Sequence, residues 1–163
     1  MENFRLARIA EADAILALYR EAAAFGKDNG SSVWDDEYPN REILDDDLAH
    51  GRLFVLEDGG AIMAAISMLE DDDIEHDDLA WTDARYCVPV RLCVSPKLQG
   101  QGLGERMMRL LAAHAKAEGY LATRHMAAVG NLAALRLYER MGYRRMGPVA
   151  IYGGQYYAYE YLL

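Results

Sequence analysis

Cysteine is scarce in this chain: 163 residues carry only Cys87 and Cys93. The two stand six positions apart in one extended segment, roughly 20 Å if regular, which is beyond the reach of a disulfide. Two thiols without further ligands also make a poor zinc site. Both read as small buried apolar residues of a reducing compartment, and no metal is expected. No stretch approaches the length that spans a bilayer, and Met1-Glu2-Asn3-Phe4-Arg5 does not open like a secretory signal. A cytoplasmic protein without a membrane partner is expected. No basic stripe with interleaved aromatics occurs, which argues against nucleic acid. Internal repeats and low-complexity linkers are also missing, so one domain over residues 1–163 is expected.

What the chain does have is a soluble core composition, 52% apolar, and a net charge of −9 that hides an asymmetry. Residues 1–83 hold 6 Lys/Arg against 22 Asp/Glu, a net of −16, whereas residues 84–163 hold 11 against 4, a net of +7. A basic half suits an anionic ligand. The acidic half suits a cationic one, although Asp71-Asp72-Asp73 and Glu75-His76-Asp77-Asp78 read equally well as a solvated loop.

Periodicity gives the elements. Phe4 to Ile9 alternates like a strand. A helix follows with Ile15, Leu18, Tyr19 and Ala22 inward, fraying near Gly26, and Lys27 to Asn40 reads as a loop. Arg41 to His50 is a short helix stopped by Gly51. Leu53–Glu57 and Ala61–Leu69 flank Asp58-Gly59-Gly60 as a hairpin. Tyr86–Val94 is the next strand, followed by a helix to Glu118, a strand Leu121–Ala127, a helix after Asn131 and a strand Tyr143–Ile151. A Gly153-Gly154 turn leads to the last strand, Tyr156–Leu162. The order β-α-α-β-β-β-α-β-α-β-β predicts an α/β fold of the mixed α+β kind, a central sheet flanked by helices.

The most informative segment runs from Val90 to Gly104. An apolar strand breaks at Ser95-Pro96, and glycines at 100, 102 and 104 open a helix whose Leu103, Met107, Leu110, Leu111 and Ala115 share one face. Helix N-termini carry unpaired N–H groups and partial positive charge, and glycines let a phosphorylated ligand approach them. A P-loop is excluded because Glu105-Arg106 stands where Lys-Ser/Thr is required. A dinucleotide fold is excluded by the glycine spacing and by the next strand, which has no carboxylate. What remains is Gln/Arg-x-x-Gly-x-Gly/Ala, met by Gln99, Gly102 and Gly104. A second block runs from Asn131 through Ala134 and Tyr138 to Gly142-Tyr143. In it Asn131 is a good N-cap and Gly142 suits the C′ position. By itself Tyr138 is a core aromatic on a helical stripe.

Together, in this order and about thirty residues apart, the two blocks resemble the Gcn5-related N-acetyltransferases, the GNAT family. The likeness extends in weaker form to Trp34-Asp-Asp-Glu-Tyr38-Pro39 and the hairpin after Gly51. It implies a single mixed, mostly antiparallel sheet and acetyl-CoA as co-substrate. Direct transfer to a primary amine is implied, either a small cationic amine or a peptide amino group. The main chain of Leu92, Cys93 and Val94 then falls to the pantetheine arm. Gln99, Gly100, Gln101, Gly102, Leu103, Gly104 and Glu105 fall to the diphosphate, Asn131 and Ala134 to the cofactor's other side. Tyr138 falls to the departing sulfur, as hydrogen-bond partner and proton donor.

The base is not legible. Where many relatives carry Glu, this chain has Cys87, Val88 and Pro89, and Met126 stands where an acidic residue is usual. Glu70, His76 or a relayed water is left for that role, while His50, His114 and His125 read as surface or satisfied. Trp34, Tyr38, Glu70 and Trp81 are acceptor-site candidates, the aromatics as walls for an amine or as simple anchors. A non-catalytic CoA-binding sensor is the competing reading, and a nucleotide-binding module a third. A homodimer is compatible with the sequence, but no residue requires it.

Overall fold

A computed structural model describes residues 1–29, 34–70 and 79–163. The acidic run 71–78, including His76, and residues 30–33 of the expected loop lie outside the described residues. The chain forms two compact units, Met1–Met68 with Val90–Leu110, and Leu69–Pro89 with Leu111–Leu163.

In the first unit β1 (Glu2–Leu6) pairs antiparallel with β2 (Leu53–Asp58), which pairs antiparallel with β3 (Ala61–Leu69). The β2–β3 turn is Gly59-Gly60 with φ of +58° and +85°, the double left-handed turn that suits the twist of two antiparallel strands. Leu53 to Leu56 are all buried, as befits a strand covered on both faces. Helices α1 (Ala12–Asp28) and α2 (Arg41–Ala49) pack here. Ala12, Ile15, Leu18 and Tyr19 of α1 join Leu44 and Leu48 of α2, with Leu53, Val55, Ala65 and Cys93, in one apolar cluster.

In this unit β1 and the end of α1 differ from the sequence reading by more than one residue. β1 ends at Leu6 because Glu11 accepts from Arg8 N at 2.8 Å and pairs with Arg5, folding Ile9–Glu11 into a 3₁₀ turn and leaving Ile9 exposed. α1 runs past Gly26 to Asp28 because the Asn29 side chain donates to Phe25 O at 2.8 Å, closing the last turn.

There β5 (Ala122–Ala128) pairs antiparallel with β7 (Gly154–Leu162), which pairs antiparallel with β6 (Arg144–Ile151). The β6–β7 turn sits at Tyr152-Gly153, one residue before the expected place, since Tyr152 itself adopts φ +52°. Gly154 is thereby released to begin β7. Helix α4 (Leu132–Arg140) follows β5.

β4 (Tyr86–Val94) and α3 (Leu103–Ala117) contribute residues to both units. The hydrogen-bonded strand order is β1-β2-β3-β4-β5-β7-β6. β4 and β5 are parallel, paired at Tyr86↔Ala122 and Cys87↔Thr123. Pro89 has no N–H to extend that ladder. The expected class and element order are borne out: a mixed, mostly antiparallel sheet with four α-helices among the described residues. No helix among the described residues is long and apolar enough to cross a membrane.

Candidate active site

The first unit carries the glycine loop. Beyond β4, Ser95 N donates to Met63 O at 2.9 Å and Leu98 N to Ser95 O at 2.9 Å, so Pro96–Leu98 forms a tight 3₁₀ turn. Gly100 and Gly102 then adopt φ of +78° and +76°, a conformation glycine takes without steric cost. A side chain at either would meet no protein atom within 4 Å. Gln99 to Gly102 are exposed, whereas Leu103 anchors α3 at 6% exposure. The helical ladder begins with Arg106 N to Gly102 O at 3.1 Å. The amides of Leu103 and Gly104 precede it, in the first turn, where helix amides have no intrahelical acceptor. Met107, Leu111 and Ala115 are fully buried, and Leu110 half so, as the sequence pattern required. The glycine positions of the turn therefore lie open at the positive end of a fifteen-residue helix. That is the chemistry a diphosphate needs.

The same unit holds Trp34 and Tyr38. Trp34 is half-buried, edge-on to Tyr19 with centroids 5.4 Å apart, and packs on the apolar cluster. Tyr38 is 39% exposed on a turn in which Asp35 Oδ1 accepts from the Glu37 and Tyr38 amides at 2.8 Å each.

The second unit carries the remaining candidates. Asn131 Oδ1 accepts from Ala134 N at 3.2 Å, capping α4. The helix closes with Tyr143 N to Tyr138 O at 2.9 Å, with Gly142 at the C′ position. Tyr138 is half-buried, its ring centroid 4.1 Å from His125, 5.4 Å from Tyr159 and 5.5 Å from Tyr143. Burial first, and the neighbouring Tyr159 second, push its phenol up to about 12. It therefore stays protonated across the neutral range. His125 is fully buried, and neither ring nitrogen has a hydrogen-bond partner among the described residues. It is thus neither at the surface nor satisfied, and burial lowers its pKa to about 3, leaving a neutral imidazole.

Glu70 is exposed and accepts from Tyr120 Oη at 3.0 Å. Trp81 lies under the protein's own Arg124 guanidinium at 4.7 Å, which also covers Tyr86 at 3.8 Å. Cys87, Val88 and Pro89 are buried. Burial pushes the Cys87 thiol up to about 12 and raises Cys93 as well, so neither is a nucleophile. No group of His, Cys, Asp and Glu among the described residues is placed to hold a metal ion.

Sequence reasoning missed two polar clusters. In the first unit Asp47, 1% exposed, binds Arg91 and Ser67. The signal was present: Asp47 shares a helical face with Leu44 and Leu48. In the second unit Arg124 and Glu160 are cross-strand partners, and Glu160 accepts from both Thr82 N and Thr82 Oγ1.

Comparison with known proteins accords with this geometry. No curated protein matches the chain in sequence. Solved structures similar to it include a GNAT family acetyltransferase from Streptococcus agalactiae, 24% identical, covering 99% of this chain and 95% of that one with a TM-score of 0.86. Another is a ribosomal-protein-alanine N-acetyltransferase from Brucella melitensis, 18% identical, covering 99% of each chain with a TM-score of 0.72. A third, an acetyltransferase from Salmonella typhimurium solved with its cofactor acetyl-CoA, is 19% identical, covers 99% and 94%, and has a TM-score of 0.68. At such identities the likeness is one of fold. The model of the Acetyltransferase (GNAT) family matches residues 13–143, and the chain belongs to that family.

Proposed function

We propose that the protein transfers an acetyl group from acetyl-CoA to a primary amine, a small cationic amine or a peptide amino group, by direct attack in a ternary complex. The observation that carries this reading is the loop before α3, with two left-handed, exposed glycines at the positive end of the helix. Those residues fit the diphosphate of coenzyme A. The amides of Gln101 to Glu105 grip it, Gln99 and Gly100 shape the turn, Leu92 to Val94 offer main-chain groups to the pantetheine arm, and Asn131 and Ala134 line the cofactor. The acetyl-CoA of the Salmonella typhimurium neighbour supports this assignment.

In the reaction the deprotonated amine attacks the thioester carbon, the C–S bond breaks, and sulfur leaves as thiolate. Tyr138 donates a hydrogen bond to that sulfur. With its phenol near 12 and an ordinary thiol near 8.5, full proton transfer is uphill by about 5 kcal/mol. Tyr138 thus stabilises the thiolate by placement, and the proton that the acylated nitrogen sheds after attack finally neutralises it through solvent. Glu70, or a relayed water, takes the first proton, that of the incoming ammonium, before attack. Trp34, Tyr38 and Trp81 border the acceptor. The ribosomal-protein alanine named for the Brucella melitensis neighbour supports testing a peptide amino group beside polyamines and amino acids. A cytoplasmic setting suits this co-substrate.

One observation favours the competing reading of a CoA-binding sensor: positions 87–89 are buried and carry no carboxylate. Release of free thiol from acetyl-CoA over a panel of amines separates the two. Amine-dependent release is expected, whereas tight coenzyme A binding without release on any amine would assign the sensor.

A further inference from the structure

Arg91 lies inside β4, yet its φ is +55°. An L side chain enters that left-handed region at a steric cost, which persists only where the surroundings over-determine it. Around Arg91 they do. Nε donates to Asp47 Oδ2 at 2.9 Å and Nη2 to Oδ1 at 2.8 Å, a two-point grip. Asp47 is itself fixed: Ser67 Oγ donates to it at 2.7 Å, Arg52 Nε stands 3.8 Å away, and its own carbonyl accepts from Arg52 N at 3.1 Å. These residues come from α2, β3 and β4 of one unit. Beyond Arg91, the Cys93 thiol donates to Leu18 O at 3.6 Å and Ser95 N to Met63 O at 2.9 Å, so the strand is pinned on both sides of Leu92.

Stability alone does not account for this arrangement. Buried ion pairs are frequently replaceable by apolar side chains without loss, and an extended arginine would avoid the backbone cost. Two unfavourable features coincide at one residue, immediately before the main chain assigned to the pantetheine arm. A left-handed residue turns its peptide out of the ladder and interrupts the alternation of the strand.

We propose that Asp47, acting through Arg91, holds β4 in this turned conformation so that the main chain of Leu92–Val94 meets the acyl-CoA arm, which makes both positioning residues for the thioester. The inference rests on the acetyl-CoA reading above. Two double variants separate conformation from charge. Asp47→Asn/Arg91→Gly and Asp47→Asn/Arg91→Ala both lose the ion pair, but glycine adopts the left-handed φ freely and alanine does not. Calorimetry with acetyl-CoA, at a temperature where circular dichroism reports both folded, should give the glycine variant an affinity within about threefold of wild type. The alanine variant should bind about tenfold more weakly. A merely structural pair would move both alike, so equal affinities, whether strong or weak, overturn the proposal. If either double variant does not fold, Asp47→Asn alone is read, since it keeps the side chain's shape and the Ser67 bond. Weakening of about threefold or more is expected there, and wild-type affinity overturns the proposal. Absence of any heat with the wild-type protein is a distinct result, which removes the acetyl-CoA reading itself.

Discussion

Two buried regions, one in each unit, hold their polar groups by opposite means. The first pairs them: Asp47 with Arg91 and Ser67, and Arg5 with both Glu11 and Glu57. The region around Tyr138 in the second unit surrounds them with rings. His125 stacks on Tyr159 and lies tilted against Tyr143, with no hydrogen bond at either imidazole nitrogen among the described residues. Directional charge pairs fix a backbone, including one residue in a conformation it would otherwise leave. Ring packing fills a volume and orients a helix-borne phenol without fixing any main chain. The first kind of interior should tolerate loss of a partner poorly, and the second should tolerate a ring of similar size well.

The largest effect expected is on the paired side. Asp47→Ala leaves the Arg91 guanidinium half-buried without its counter-charge and should cost about 3–5 kcal/mol in urea unfolding. A loss below about 1 kcal/mol would place the pair with ordinary surface bridges and erase the contrast. Next comes Tyr138→Phe, which keeps the ring packed but removes the donor. Turnover should fall about 10- to 100-fold while acetyl-CoA affinity holds, and unchanged turnover would reduce Tyr138 to a packing residue.

His125→Phe is the sharpest test of the ring-packed interior. The folded imidazole titrates near 3 against about 6.5 when unfolded. Because the folded value is the depressed one, wild-type stability is fully present above pH 6.5 and is lost as pH falls toward 3. The Phe variant should match or exceed wild type at pH 7.5 and gain a further advantage of about 1.4 kcal/mol at pH 5.5. Equal pH profiles would mean that the imidazole is charged or solvated. The smallest effect is expected of Tyr120→Phe, which removes only the hydroxyl bonded to exposed Glu70. A change of about 0.5 kcal/mol in thermal unfolding is predicted, and a loss several times larger would mean that this unit, too, depends on directional bonds.

What sequence reveals divides along physical lines. β4 was legible at its full length, Tyr86–Val94, because an apolar run ending in Ser-Pro admits few alternatives. The β2–β3 turn and the glycine loop were equally plain, since paired or alternate glycines announce left-handed backbone. Tyr138 could be singled out once two blocks stood in order. Asp47 was passed over although it shares a helical face with Leu44 and Leu48, because it is the last of three consecutive aspartates. The left-handed Arg91 has no local cause at all; its partner is 44 residues away. The end of α1 depended on a single Asn29 side-chain bond, and the β6–β7 turn on Tyr152 taking a conformation usually left to glycine. His125 sits in a strand buried on both faces from Ala122 to His125, so alternation gave no hint of its surroundings.

Amide-resolved NMR of the ¹⁵N-labelled protein titrated with coenzyme A tests the central assignment most directly. The account predicts that the N–H resonances of Gln101, Gly102, Leu103, Gly104 and Glu105 move furthest. Saturable binding that leaves those five amides in place would contradict it.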